Sequence, residues 1–153
     1  MNLESYDEKL EIAKSQLRNL GLKLTRTRLA VLRCFLSSKT PLTPKMIITK
    51  ISEDSQNHKE IDHTSVYRIL DNFHKYELIH EVHPGKGFVF CSHQTCNHPM
   101  HIMTLCTRCE LFEEIPVPTE LLSPTLWYLE EKRNFKPQEH FLQINGLCTK
   151  CQS

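Results

Sequence analysis

The stretch DHTSVYRILDNFHKYELIHEVHPGKGFVFC, residues 62–91, predicts a helix followed by a two-stranded hairpin. Asp62 to Thr64 provide caps for the helix. Apolar residues then recur at helical spacing, at Val66, Ile69, Leu70 and Phe73. Two further apolar runs, 78–82 and 87–91, are joined by His-Pro-Gly-Lys, a sequence typical of a hairpin turn.

Three more helices are predicted upstream of this stretch. The first spans residues 3–18, and the second runs from an N-cap at Thr25 to about Leu36. Thr43 and Pro44 suit the N-cap and first turn of a third helix, whose inward residues are predicted to be Met46, Ile47 and Ile51. Helices followed by a hairpin are the order of a winged helix-turn-helix, in which the last helix enters the major groove of DNA.

Charge is distributed unevenly along the 153 residues, although the net charge is only +1. Residues 12–52 contain nine Lys and Arg and no acidic residue. Residues 87–153 contain five basic and seven acidic residues. This asymmetry favours an N-terminal half that binds a polyanion and a C-terminal half that forms a separate scaffold. The alternative is a solvated basic face that has no partner.

The C-terminal half is predicted to be a small α+β unit. A helix is expected over residues 119–134, with Leu122, Leu126 and Leu129 facing inward. Short strands are expected at 101–105, 111–115 and 140–144. We therefore predict an α+β protein of two domains, residues 1–85 and 86–153, with the hinge near residues 84–86 or slightly after the hairpin.

Several classes of protein are disfavoured. No apolar run is long enough for a transmembrane helix, and the polar, acidic start of the chain does not resemble a secretory signal. We therefore expect a cytoplasmic protein with no membrane partner. Common hydrolase and nucleotide-binding motifs are absent. A zinc deaminase would need Pro-Cys-x-x-Cys besides the His58-Lys-Glu60 triplet, and Leu105 stands in place of that proline. We therefore expect no enzymatic activity.

Two CxxC pairs are the most specific signal in the chain. Cys106 and Cys109 are separated by 38 residues from the second pair, Cys148 and Cys151. Two such turns can close a tetrahedral zinc cage, which would be structural because four sulfurs leave no open position. Two disulfides in a secreted protein, or a thioredoxin-like redox site, are the alternatives.

A second cluster of candidate metal ligands covers the hairpin and the residues after it. Its members are His80, His83, Cys91, His93, Cys96, His98 and His101. Imidazole and thiolate suit Zn²⁺ and, less selectively, iron or nickel. Glu114, five residues after Cys109, could add a carboxylate. A metal bound by these residues would bridge the hairpin and the second half.

The chain resembles the ferric uptake regulator superfamily of bacterial metal-dependent repressors. The resemblance rests on Gly21-Leu-Lys-Leu-Thr-x-x-Arg28, on Thr64-Ser-Val-Tyr67-Arg68-x-Leu70 and on the two CxxC pairs. It implies an N-terminal winged-helix DNA-binding domain followed by an α/β dimerisation domain. It further implies a homodimer that binds palindromic double-stranded operators when it is loaded with metal, and so regulates transcription.

Within the superfamily, the chain is most similar to the zinc uptake regulators. That resemblance implies a regulatory Zn²⁺ site formed by His80, Cys91 and Glu114 with either His98 or His101. Iron and peroxide sensors usually carry a histidine in the turn before the third helix, where this chain has Thr40-Pro-Leu-Thr43. An Fe²⁺-sensing or peroxide-sensing regulator is the alternative, as is a site using His98, His101, Glu120 and His140.

The helix over residues 64–70 supplies most of the candidate DNA contacts. We expect Arg68 to read bases, because a helical arginine can bind guanine through two hydrogen bonds. An ion pair with Asp71 or Asp62 is the alternative role for Arg68. The other candidate contacts are Tyr67, Thr64 and Ser65 on the same helix, and Lys23 and Arg28 as phosphate ligands.

Overall fold

The computed structural model describes residues 6–54, 62–83, 85–91, 101–137 and 141–152. The chain divides into two compact units, residues 1–94 and 95–153. A division after residue 85, as expected from sequence, would separate two strands that pair with each other. The structure keeps both strands in the first unit because their ladder of hydrogen bonds is local.

Four helices of the described residues belong to the first unit: α1 (Tyr6–Asn19), α2 (Arg26–Leu36), α3 (Pro44–Glu53) and α4 (His63–Lys75). The predicted N-caps are confirmed. The side chains of Thr25 and Thr43 each accept a hydrogen bond from the third residue after them, and Asp62 accepts from two backbone N–H groups. Each cap satisfies N–H groups that have no partner inside the helix.

One apolar face of each helix forms the core of the first unit. Buried side chains include Leu17, Leu32, Phe35, Ile47, Ile51, Val66, Leu70 and Phe73. Met46, predicted to point inward, is instead 42% exposed. Ile47 and Ile51 lie one turn apart on the buried face, and the residue before Ile47 is rotated by about 100° away from that face.

A hairpin, β1 (Ile79–Val82) and β2 (Gly87–Phe90), follows α4 as predicted. We call this hairpin the wing. It is bound to the residue that precedes the N-cap of α3, because Leu42 and Phe88 exchange two backbone hydrogen bonds of 2.9 Å. The wing is therefore anchored to the helical core.

The second unit contains a three-stranded sheet with the order β4–β3–β5. Its strands are β3 (His101–Cys106), β4 (Phe112–Pro116) and β5 (Phe141–Gly146). β4 is antiparallel to β3, whereas β5 is parallel to it. Parallel neighbours need a long connection, and this one contains a helix.

That connection holds α5 (Thr119–Trp127), which continues as a π-helical turn over Tyr128–Lys132. Leu122, Leu126 and Leu129 are the least exposed side chains of this segment, as predicted, although none of the three is fully buried. In the described part of the chain, no helix is long and apolar enough to cross a membrane. The fold is α+β, with a winged helix-turn-helix unit followed by a small α/β unit.

Candidate metal centres and DNA-facing helix

The two CxxC turns lie at the same end of the sheet. Cys106 ends β3, and Cys109 follows in the adjacent turn. The register pairs Cys106 with Gly146 at the end of β5, and Cys148 and Cys151 come directly afterwards. The parallel pairing of β3 and β5 therefore brings the two CxxC turns together.

The four sulfurs are close enough to share one ion. They all lie within 4.8 Å of one another, and the Sγ atoms of Cys109 and Cys148 are 3.7 Å apart. A tetrahedral zinc ion with Zn–S bonds of about 2.3 Å requires sulfurs about 3.8 Å apart. The donor set thus fits zinc. The cysteines in the described residues are free thiols, so neither CxxC pair forms a disulfide.

Hydrogen bonds within this site give the Cys106 thiol a lower pKa, and the Cys151 thiol a higher pKa, than an ordinary cysteine. Backbone N–H groups of Cys148 and Cys109 donate to the Cys106 sulfur and lower the pKa of Cys106 to about 6. A hydrogen bond with the Cys148 thiol, together with desolvation, raises the pKa of Cys151 to about 12. The metal-free site therefore holds a thiolate at Cys106 near neutral pH, and metal binding must displace the proton of Cys151.

His80 and Cys91 form a buried pair in the first unit. His80 lies in β1, and Cys91 follows β2 with its backbone N–H bonded to the Leu78 carbonyl at 2.9 Å. Their side chains are nearly inaccessible, at 6% and 2% exposure. Their ligating nitrogen and sulfur lie within 4.8 Å of each other. The Cys91 thiol, a soft ligand, and the His80 imidazole, a borderline one, therefore lie side by side in a buried place at the wing.

His101 and Glu114 form a second buried pair, in the second unit. They lie on adjacent strands, β3 and β4, with His101 Nε2 at 2.9 Å from Glu114 Oε1. Both side chains are at most 6% exposed.

Among the described residues, the other predicted metal ligands do not join these two pairs. Glu120 is exposed in the first turn of α5, and His83 is exposed in the turn of the wing. Four predicted ligands lie outside the described residues: His93, Cys96, His98 and His140.

Three of the four predicted DNA-contact residues of α4 are exposed, outside its buried stripe. Tyr67 is 50% exposed, and Thr64 and Arg68 are exposed as well. Ser65 is partly buried, and its hydroxyl donates to the Asp62 carboxylate at 2.8 Å. That carboxylate is thus engaged in capping the helix.

Lys23 and Arg28, the predicted phosphate ligands, lie at the start of α2. The Arg28 guanidinium donates a hydrogen bond to the Lys23 backbone carbonyl, and the Lys23 side chain is exposed.

Thr107 and Arg108 are two residues of the four-cysteine site that the sequence analysis missed. Thr107 binds Gly146, which ends β5, and Arg108 binds Cys151 in the second CxxC turn. Their position between Cys106 and Cys109 is the one signal in the sequence that could have found them.

The sequence profile described as "Ferric uptake regulator family" matches residues 19–145, which cover most of both units. The chain belongs to the ferric uptake regulator family. The predicted resemblance is thereby confirmed. As a member of this family, the chain is a metal-dependent, DNA-binding transcriptional regulator.

Curated relatives of this Fur-family chain match over nearly its whole length. The ferric uptake regulation protein of Campylobacter jejuni subsp. jejuni is 26% identical over 148 residues, covering 97% of this chain and 91% of that protein. The peroxide-responsive repressor PerR of Staphylococcus aureus strain Mu50 is 28% identical over 152 residues, with 99% and 97% coverage.

Solved structures share the fold. A zinc uptake regulator complexed with zinc and DNA matches with a TM-score of 0.79 at 22% identity, over 97% of this chain and 96% of that one. The Helicobacter pylori ferric uptake regulator matches with a TM-score of 0.58 at 22% identity, over 100% and 97% of the two chains. At such identities the likeness establishes the fold alone.

Proposed function

We propose that this Fur-family regulator is a zinc-sensing repressor that binds palindromic operators as a homodimer when loaded with metal. In this proposal, Cys106, Cys109, Cys148 and Cys151 hold a structural Zn²⁺. His80 and Cys91 of the wing, together with His101 and Glu114 of the second unit, hold the regulatory Zn²⁺. Such a regulator acts on the chromosome, so we also propose a cytoplasmic location.

The observation that carries the choice of zinc is the buried Cys91 thiol beside His80. A thiolate with imidazole favours Zn²⁺ over a harder ion such as Fe²⁺. Two nitrogens, one sulfur and one carboxylate oxygen supply the four donors that zinc prefers. The closeness of His101 to Glu114 supports His101 rather than His98 as the second histidine of this set.

The bound metal would supply a cross-link between the wing and the second unit. Within the first unit, backbone hydrogen bonds between Leu42 and Phe88 tie the wing to the start of α3. Helices α3 and α4 share one buried core, and Arg68 lies on the exposed face of α4. Restricting the wing therefore also restricts α4. In a dimer, two such helices would match half-sites about one helical turn apart. A metal ion that binds the DNA-competent conformation more tightly than other conformations then raises the affinity of the protein for DNA.

Sensing of iron or peroxide is the alternative function. It is favoured by the curated relatives, which are a ferric uptake regulation protein and a peroxide-responsive repressor at 26% and 28% identity. The Cys91 thiol counts against it, for the reason given above. The two functions differ in the ion that supports DNA binding.

The deciding experiment compares ions at matched free concentrations. Duplexes that bind the zinc-loaded protein would first be selected from a random library. Binding of the selected duplex would then be measured by fluorescence anisotropy with Zn²⁺, with Fe²⁺ under anaerobic conditions, and with a chelator. We expect Zn²⁺ to support binding and the chelator to abolish it. If Fe²⁺ supports binding where Zn²⁺ at the same free concentration does not, the zinc-sensing proposal is wrong.

A further inference from the structure

The two residues between Cys106 and Cys109 bind the backbone of the C-terminal segment. Thr107 donates to the Gly146 carbonyl through its backbone N–H at 2.8 Å and through its hydroxyl at 3.2 Å. The Arg108 guanidinium donates to the Cys151 carbonyl at 2.7 Å. These contacts join positions 39 and 43 residues apart in sequence.

The Arg108 contact reaches beyond the sheet. The ladder between β3 and β5 ends with the pair Cys106 and Gly146. After Gly146 the chain makes its own turn, in which the Cys151 N–H donates to the Cys148 carbonyl at 2.8 Å. That local bond fixes the shape of the second CxxC turn but not its place relative to the first. The bond from Arg108 to Cys151 links the far end of the second turn to the first.

We propose that Arg108 is a positioning residue for the four-cysteine metal site: it holds the second CxxC turn in the place where its sulfurs can share an ion with those of the first. The inference rests on the structural zinc site proposed above. Hydrogen bonds from a charged donor are stronger than neutral ones, and groups that orient metal ligands sustain metal affinity without touching the metal. A zinc ion with four thiolates has a net charge of −2, which the single positive charge of the guanidinium partly offsets.

The experiment measures how fast zinc leaves the zinc-loaded, full-length protein in the presence of excess chelator. All variants, and the parent with which they are compared, carry Cys91→Ser, so that the four-cysteine site is the source of the zinc that is followed. Arg108→Ala removes both the hydrogen bond and the charge, and we expect zinc to leave about tenfold faster. Arg108→Lys retains the charge and one donor group and should recover part of the slow release. Arg133→Ala is the matched control, because it removes an exposed arginine of the same unit and should leave the rate unchanged.

A second variant keeps the test valid if Arg108→Ala does not fold. Thr107→Val removes only the hydroxyl donor and keeps the N–H bond to Gly146, so zinc release should accelerate less than in Arg108→Ala. If Arg108→Ala releases zinc at the unchanged rate, the inference is overturned. If that variant cannot be made, unchanged rates in both Arg108→Lys and Thr107→Val overturn it. Failure of the underlying site would look different: the Cys91→Ser protein loaded with Co²⁺, in which the proposed regulatory site has no thiolate, would lack thiolate-to-cobalt charge-transfer bands.

Discussion

Gly87 lies so close to Leu42 that a Cβ atom at position 87 would be 2.5 Å from the Leu42 carbonyl carbon and oxygen. Gly87 also has a φ of +104°, which residues with a side chain rarely adopt. The close approach accompanies the pair of backbone hydrogen bonds between Leu42 and Phe88, the residue after Gly87. The wing can approach the start of α3 in this way only because position 87 has no side chain.

Replacing Gly87 with alanine should therefore separate the wing from α3. We expect Gly87→Ala to lower the free energy of unfolding by at least about 2 kcal/mol, since backbone strain and a backbone clash combine. Gly85→Ala is the matched control, because Gly85 has a φ of +58° but no heavy atom within 4 Å of a Cβ. Its cost should be about 1 kcal/mol. Urea unfolding of the two zinc-loaded variants measures the difference, and equal losses would show that the close approach to Leu42 is unimportant.

The pKa of Cys106 predicts a titration near neutral pH. Backbone hydrogen bonds lower this pKa from 9.0 to about 6, so a metal-free monomer that keeps the fold of this unit should gain one thiolate per chain near pH 6. The stability contributed by this thiolate is present above pH 9 and is lost as the pH falls through 6. Ultraviolet absorbance of the thiolate measures the step, which should persist in Cys34→Ser because burial raises the pKa of the Cys34 thiol. A metal-free protein with no such step between pH 5 and 8 would contradict the assignment.

Loss of one ligand should disable the four-cysteine site as a structural element. Structural zinc sites contribute about 10–16 kcal/mol of apparent binding free energy, comparable to the stability of a whole domain. We therefore expect Cys148→Ser to be misfolded or monomeric, as judged by circular dichroism and light scattering. Cys34→Ala, which removes a cysteine of the helical core, should retain the zinc. A stable dimer of Cys148→Ser that lacks the zinc of this site would show that the site is not structural.

Loss of Cys91 should affect sensing and leave the fold intact. Cys91→Ser removes the thiolate of the proposed regulatory site but none of the four cysteines at the end of the sheet. Elemental analysis should show one zinc fewer per chain, and zinc-dependent DNA binding should disappear. His83→Ala, which removes an exposed histidine of the same hairpin, should bind zinc and DNA normally. Normal binding by Cys91→Ser at limiting zinc would favour a site that uses His98, His101, Glu120 and His140.

Arg68 and Lys23 should make different kinds of DNA contact. Arg68→Ala should weaken binding to a selected duplex by about 1–3 kcal/mol and relax its base preference, because the guanidinium reads a base edge. Lys23→Ala should weaken binding to all duplexes alike and reduce the salt dependence by about one unit of slope. Anisotropy titrations over a range of salt concentrations test both variants. Equal losses on selected and random DNA for Arg68→Ala would remove it from the base-reading role.

Local signals predicted the helices well. Thr25, Thr43 and Asp62 cap the helices that they were expected to cap, because a capping side chain bonds to backbone groups only two or three residues away. Gly21 closes α1 with a φ of +70°, a conformation that glycine adopts without strain. Glu77 closes α4 in the same conformation, with a φ of +56°, although its sequence gives no such signal.

The candidate metal sites were only partly predictable. The four cysteines could be assigned because each CxxC brings two sulfurs together within one turn. A shared zinc cage implied that the strands before the two CxxC turns end near each other, but only the structure showed that β5 pairs directly with β3, in parallel. Nothing indicated that Thr107 and Arg108 would bind the C-terminal segment, since both contacts join residues far apart in the chain.

The sequence by itself determined the order of elements, the helix caps, the buried stripes and the identity of the candidate ligands. These properties depend on interactions within a few residues and on the period of the hydrophobic pattern. Only the tertiary structure decided which strands pair, why position 87 must be glycine, and that Glu114 lies against His101. Those relationships join residues from separate elements, and the packing of the whole unit selects among many pairings that the local sequence allows equally well.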